Sequence, residues 1–347
     1  LQIKEYILSL VASSEDEMMK IPSERELCRI HNVCRPTVRQ AIDSLVDEGI
    51  LEPKRGLGTF INRQALEKEE KGLPRNTTIG ITFFDGGGVR QGGGFTWMLM
   101  QNIVNTLAEK GLNILFASTK KTGMRAAEEL LQKGISGLIW ISPDKKQFEA
   151  LRCLKAKGLP VMAINRKIDV EKIDYVNSDQ EHGGYIAGKY LLERGHRKVL
   201  FVAKEKVRPL LNLRYSGFEK AFAEEGLTVD SISVSEASEV YLKIKRLISQ
   251  KDFTAIFTAD GIYLPLVYNA LRDEGKSVPD DYSLISYDES NLNIRPDLKI
   301  TEIHQPLEEM GNLAGQTIID KLTNRNSRRL QQVLKPFIWE GNSCIQL

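Results

Sequence analysis

At 347 residues, 41% hydrophobic and 27% charged, the chain has an ordinary globular composition and the length of a short domain plus a larger one. No apolar run reaches the roughly 18 residues of a membrane span, and the opening LQIKEYILSLVASSEDEMM lacks a signal-peptide core and cleavage pattern. The expectation is a cytoplasmic chain, neither exported nor membrane-bound. A net charge of +2 gives no global reason to expect nucleic-acid binding, so a basic surface has to be local. Cys28, Cys34, Cys153 and Cys344 lack C-x-x-C spacing, and the four histidines do not cluster near them. That favours reduced thiols over zinc ligands or disulfides, and no metal or cofactor is expected.

Residues 1–62 read as three helices and a hairpin. Ile3, Tyr6, Ile7, Leu10 and Val11 form one apolar stripe at helical spacing. In Pro22-Ser23-Glu24-Arg25-Glu26, Ser23 caps the next helix while Glu26 reaches back, which is a capping box. In Cys34-Arg35-Pro36-Thr37, Pro36 suits a first helical turn, where its missing N–H has no intrahelical partner. This third helix buries Val38, Ala41, Ile42 and Leu45 and ends at Gly49. ILEPKRGLGTFIN then gives two short strands around a glycine turn, completing a winged helix-turn-helix.

Arg35 and Arg39 lie four apart on that helix, away from its apolar stripe, with Thr37 between them. Such a helix places guanidinium and hydroxyl groups at base edges in the major groove, where Arg matches guanine bidentately. Arg25, Lys54 and Arg55 are placed to meet phosphates. For Arg25 alone, solvated surface is an equal reading. The segment resembles the GntR family of bacterial regulators through Pro22-Ser23-Glu24-Arg25-Glu26-Leu27, Arg35-Pro36-Thr37-Val38-Arg39-Gln40-Ala41 and Gly56-Leu57-Gly58-Thr59. That resemblance implies DNA contacts from Arg25, Arg35, Thr37 and Arg39. It also implies that Gly58 lets the wing backbone approach the minor groove.

Residues 63–77 are polar and charge-dense and read as a linker. From residue 78 to 347 apolar strands (ITFF, NILFAS, GLIWIS, VMAIN, KVLFVA, AIFTA, SLISYD) alternate with amphipathic helices. The expected fold class is α/β, with parallel sheets in two lobes and a ligand cleft at the carboxyl ends of their strands. Asn165-Arg166, Asp179, Asp260, Asp288 and Gln305 each follow a strand. Carboxylates, amides and an Arg can pair the hydroxyls of a sugar, while a strand-end Asp is equally an ordinary helix cap.

This half is similar to the LacI-family sensor domain, itself similar to periplasmic sugar-binding proteins. The stretches that carry the similarity are Asn165-Arg166, Val176-Asn177-Ser178-Asp179, Leu191 to Val199, Arg214 to Phe218, Ala255 to Asp260, Val278 to Asp288 and Gln305 to Gly311. It implies effector contacts from Arg214, Asp260, Asp288 and Gln305, joined by Arg166, Asp179 and His182. His196 reads as structural. In DGGGVRQGGGF the glycines match neither a P-loop nor a dinucleotide fingerprint, so nucleotide binding is rejected there. Phe95 or Trp97 either stacks on a sugar ring or lies in the lobe core.

The joined resemblances are those of the arabinose-repressor type of GntR protein. They imply a homodimer on a pseudo-palindromic double-stranded operator, with a monosaccharide or derivative as effector and repression relieved by ligand. A sugar-responsive activator stays open. A carbohydrate-acting enzyme is disfavoured, because nucleophile elbow, metal cluster and phosphate loop are all missing. A solute-binding protein is disfavoured by the attached DNA reader.

Overall fold

The structure is a computed structural model. It describes residues 6–7, 19–31, 33–47, 50–54, 57–62, 73, 77–83, 94–117, 119, 121–168, 173–204, 209–250, 252–288, 295–323 and 328–347. The chain divides into two compact units, Leu1–Asn76 with Asp320–Ser327, and Thr77–Ile319 with Arg328–Leu347.

In the first unit, α1 (Glu24–His31) begins at the capping box. Ser23 N donates to Glu26 Oε2 at 2.8 Å and Glu26 N donates to Ser23 Oγ at 3.3 Å, so two otherwise orphaned amides find partners. Helix α2 (Arg35–Asp47) starts after Cys34, whose carbonyl accepts from the N–H groups of Thr37 and Val38. Pro36 sits in this first turn. Val38, Ile42 and Leu45 pack with Ile7, Leu27, Leu51 and Ile61 in one small core. Strands β1 (Leu51–Lys54) and β2 (Gly58–Ile61) pair antiparallel with Lys54 opposite Gly58. Gly58 has φ +115°, a backbone state that favours glycine. The expectations for Ile3, Leu10, Val11, Gly49, Arg55 and Gly56 fall outside the described residues.

The second unit holds two six-stranded sheets. The first has the order β13-β7-β6-β5-β3-β4 and is parallel throughout. Its strands are β3 (Thr78–Phe83), β4 (Asn113–Phe116), β5 (Gly137–Ile141), β6 (Val161–Ile164), β7 (Asp174–Ser178) and β13 (Gln331–Leu334). Helices α3 (Gly94–Ala108), α4 (Gly123–Gln132) and α5 (Phe148–Ala156) connect them.

The second sheet has the order β14-β12-β11-β10-β8-β9, in which β14 alone runs antiparallel. Its strands are β8 (Val199–Lys204), β9 (Asp230–Val234), β10 (Ala255–Thr258), β11 (Ser283–Tyr287), β12 (Thr301–His304) and β14 (Phe337–Trp339). Helices α6 (Gln180–Glu193), α7 (Pro209–Ala223), α8 (Ser238–Ile248) and α9 (Leu264–Asp273) accompany it, and α10 (Leu307–Leu322) follows β12.

Alternation along β8 shows why these strands read as continuous apolar runs. Val199, Phe201 and Ala203 enter one core with Phe218, Phe257 and Tyr287, while Leu200 and Val202 enter another with Ile256 and Leu284. A parallel sheet covered on both faces buries both sets. Strands β9, β13 and β14 are not evident from the sequence for the opposite reason: they are short and largely exposed, and even the apolar Phe337-Ile338-Trp339 of β14 is only three residues long.

The chain passes from one sheet to the other after β7, after β12 and between β13 and β14. These crossings bring residues distant in sequence to the carboxyl ends of the strands. Helices α6 and α7 pack closely there. A Cβ on Gly184 would overlap the carbonyl of Arg214, and one on Gly217 the carbonyl of Glu181, so only glycine permits the approach. His196 is buried with Nδ1 2.8 Å from Thr254 Oγ1, and burial lowers its pKa.

Candidate functional site

On the first unit, Arg25 and Arg39 are exposed and make no ion pair or hydrogen bond among the described residues. Arg35 is also exposed, but its Nε donates to Glu24 Oε2 at 2.6 Å, which orients the guanidinium. Thr37 Oγ1 lies 3.1 Å from Cys34 Sγ, and this contact lowers the thiol pKa. Pro36 is exposed beside them. Lys54 Nζ stands 5.4 Å from the Phe60 ring centroid, which props its chain on the wing. Arg35, Thr37 and Arg39 on one helix, together with Lys54 on the hairpin, are groups that can hydrogen-bond base edges and neutralise phosphates.

On the second unit, three non-glycine residues with positive φ stand at strand ends among the described residues: Ser142 (50°), Asn165 (58°) and Asp288 (70°). Each follows a strand that pairs parallel with both of its neighbours. Such strained backbone persists where the surroundings over-determine it, commonly at ligand sites. Asn165 Nδ2 donates to Ser142 Oγ at 2.9 Å, while its Oδ1 is buried without a partner. An orphaned buried acceptor at a strand end is a group that a ligand hydroxyl or water can satisfy.

Beyond β11 a closed ring of four side chains forms. Arg214 Nε donates to Gln180 Oε1 at 2.7 Å, and Gln180 Nε2 donates to Gln305 Oε1 at 2.9 Å. Gln305 Nε2 donates to Asp288 Oδ1, and Asp288 Oδ2 accepts from Arg214 Nη1 at 3.2 Å. Arg214 Nη1 also donates to the Ala259 carbonyl at 2.5 Å, and its guanidinium carbon lies 3.5 Å from the Tyr287 ring centroid. Burial holds the Tyr287 hydroxyl protonated, well above the usual tyrosine range. The ring is electrically compensated, since Arg214 and Asp288 neutralise each other, and it presents both donors and acceptors. That combination suits an uncharged polyhydroxyl molecule.

The structure thus brings Arg214, Asp288 and Gln305 together. Asp179 caps α6, accepting from His182 N at 2.9 Å, and Asp260 accepts from Ile262 N at 3.2 Å as the cap of the short turn Gly261–Tyr263. Arg166 Nε donates to the Pro143 carbonyl at 3.0 Å. His182 is partly buried in the first turn of α6. On α3, Phe95 is partly buried and Trp97 is 65% exposed, so Trp97 does not lie in the lobe core. Gln180 and Tyr287 were not singled out from sequence. The available signal was a glutamine at the first position of a helix, a place that needs no polar side chain when Asp179 already caps it.

A groove of about 1160 Å³ lies apart from the ring, between α3 and α10, and reaches it only at Gln305. Among the described residues, no helix is long and apolar enough to cross a membrane, and no cluster of three or more His, Cys, Asp or Glu could hold a metal.

Residues 2–61 match the bacterial regulatory proteins of the gntR family. Residues 96–251 match the periplasmic binding proteins and sugar binding domain of the LacI family, and residues 189–344 a periplasmic binding protein-like domain. The arabinose metabolism transcriptional repressor of Geobacillus stearothermophilus is 28% identical over 100% of this chain and 98% of its own. Its counterpart in Halalkalibacterium halodurans is 27% identical over 94% of this chain and 90% of its own. A LacI family transcriptional regulator from Enterococcus faecium, solved with bound ribose, superposes with TM-score 0.68 at 23% identity. It covers 78% of this chain and 100% of that one, and shows the two-lobed fold.

Proposed function

The chain joins a GntR-type helix-turn-helix domain to a LacI-type, periplasmic-binding-protein-like domain, and from that premise we propose that it represses transcription until a small uncharged sugar occupies the Arg214 ring. The reading rests above all on the ring's position at the strand carboxyl ends, on a chain that also carries the exposed arginines of a DNA reader. The relatives that match end to end are named as repressors, which favours repression over activation. They are transcription regulators and not enzymes.

The working unit is a cytoplasmic homodimer, each wing domain reading half of a pseudo-palindromic operator. The sugar binds between the lobes and favours one arrangement of the paired readers, so it shifts DNA affinity only by its differential affinity for the two arrangements. Arg214, Asp288 and Gln305 hold its hydroxyls, with Arg166, Asp179, His182, Asp260 and Phe95 or Trp97 contributing around them. L-Arabinose and D-ribose are the first sugars to test. Footprinting the DNA upstream of the gene, with and without each sugar, tests the reading. Release of the protected segment by a sugar supports it, and tighter protection would favour an activator or a corepressor.

A further inference from the structure

Gln180 is 1% exposed and lies at the first position of α6, where the chain first leaves one sheet for the other. Gln305 lies at the second such passage, between β12 and α10. The Gln180 carboxamide joins the two, taking a hydrogen bond from Arg214 Nε and giving one to Gln305 Oε1. We propose that Gln180 is a positioning residue of the effector site, fixing the orientations of Arg214 and Gln305 from behind. The proposal rests on the reading of this ring as an effector site.

The geometry carries the assignment. An arginine beside one carboxylate can turn about its last bonds and offer Nε, Nη1 or Nη2. Here Nε is held by Gln180, and Nη1 by Asp288 and the Ala259 carbonyl, which fixes the guanidinium over the Tyr287 ring. Gln305 has the same ambiguity, since its amide could be flipped. Because Gln180 Nε2 is a donor, it demands the Gln305 oxygen, and the Gln305 amide then turns its nitrogen toward Asp288. Asp288, which can only accept, and Arg214, which can only donate, impose the same polarity, and the Gln180 carboxamide closes the ring between them. A hydrocarbon of the same size would fill the space and leave Arg214 Nε and Gln305 Oε1 without these partners, loosening both side chains.

Two variants separate positioning from simple packing. Gln180→Leu keeps the volume and removes both hydrogen bonds. Gln180→Glu keeps the acceptor for Arg214 Nε and removes the donor to Gln305. Nitrogen-15 NMR of the arginine Nε–H groups reads Arg214 without any sugar, and the Gln side-chain NH₂ signals read Gln305. The expectation is a slowly exchanging Arg214 Nε–H in the wild type and in Gln180→Glu. That protection is lost in Gln180→Leu, and the Gln305 NH₂ signals move in both variants. Titration with L-arabinose should show at least a tenfold loss of affinity in Gln180→Leu.

If no sugar binds the wild type, the effector reading fails, while the NMR comparison still decides whether Gln180 orients Arg214. An unchanged Arg214 signal in Gln180→Leu overturns the proposal, as does full L-arabinose affinity in that variant. Should Gln180→Leu not fold, Gln180→Glu decides: unmoved Gln305 signals would overturn the positioning of Gln305 by Gln180.

Discussion

Glu24 Oε2 accepts a 2.6 Å hydrogen bond from Arg35 Nε, tying the start of α1 to the start of the recognition helix. With Nε engaged, the two terminal nitrogens of Arg35 remain as a fork, the arrangement that fits guanine O6 and N7. On the proposed reading of this helix as the DNA reader, Glu24 would also bring a negative charge toward the phosphates. Glu24→Ala should therefore lower affinity for the footprinted operator while raising affinity for a scrambled duplex of equal length. The specificity ratio should fall roughly tenfold, within the range a single buttressed contact can supply. Anisotropy titrations of both duplexes at one salt concentration measure it, and an unchanged ratio would assign the ion pair to folding alone.

Arg39 is exposed and unengaged among the described residues, so its guanidinium is available without breaking an internal contact. Arg39→Ala should cost about 1 to 3 kcal/mol of operator binding and leave sugar binding intact. Undiminished operator affinity would count against its place at the base edges.

Arg214 and Asp288 form a largely enclosed ion pair, with side-chain exposures of 4% and 15%. Replacing Arg214 with Leu leaves the carboxylate with only the Gln305 amide from the ring. The expected loss of stability is about 3 kcal/mol by urea unfolding. The same variant should show no sugar-induced thermal shift. Stability close to wild type would mean that the pair is far better solvated than it appears.

Gly217 faces the Glu181 carbonyl across the α6–α7 contact with no room for a methyl group. Gly217→Ala has to push α7 outward, and Arg214 is carried on α7. Overpacking of this kind costs about 1 to 3 kcal/mol. Here it should also weaken sugar binding, which calorimetry at matched folded fraction would reveal. An effect on stability alone would mean that Arg214 reaches its partners despite the displaced helix.

Burial lowers the pKa of His196 below its ordinary value of 6.5, so the unfolded chain takes up this proton before the folded one does. Its contribution is therefore present above about pH 6.5 and is lost as the pH falls toward the lowered folded value. Wild type should lose more stability than His196→Gln between about pH 7.5 and 5.5. Equal slopes in denaturant melts at the two pH values would show that this imidazole does not set the acid limit.

Much of the architecture was legible because it is local. The capping box at Ser23 and Glu26, the first-turn Pro36 and the stripe Val38, Ile42, Leu45 are decided within one or two turns. The runs GLIWI and SLISY read as buried strands because both faces of their sheets are covered. Strands β9, β13 and β14 carry no such signal. They pair at or near sheet edges, where side chains meet solvent and pairing rests on backbone bonds that any residue can make.

By itself the sequence determined which residue types stand at the strand ends, and its resemblance to the LacI-family sensor implied Arg214, Asp260, Asp288 and Gln305 as a set. Only the tertiary structure decided how they are used. Gln180 and Gln305 are 125 positions apart, and their hydrogen bond exists because two chain crossings meet at one place. At Asp179 and Asp260 one carboxylate oxygen serves as a helix or turn cap. A carboxylate or amide takes its role from the partners within about 3 Å of it, and sheet order, which local spacing does not encode, supplies those partners.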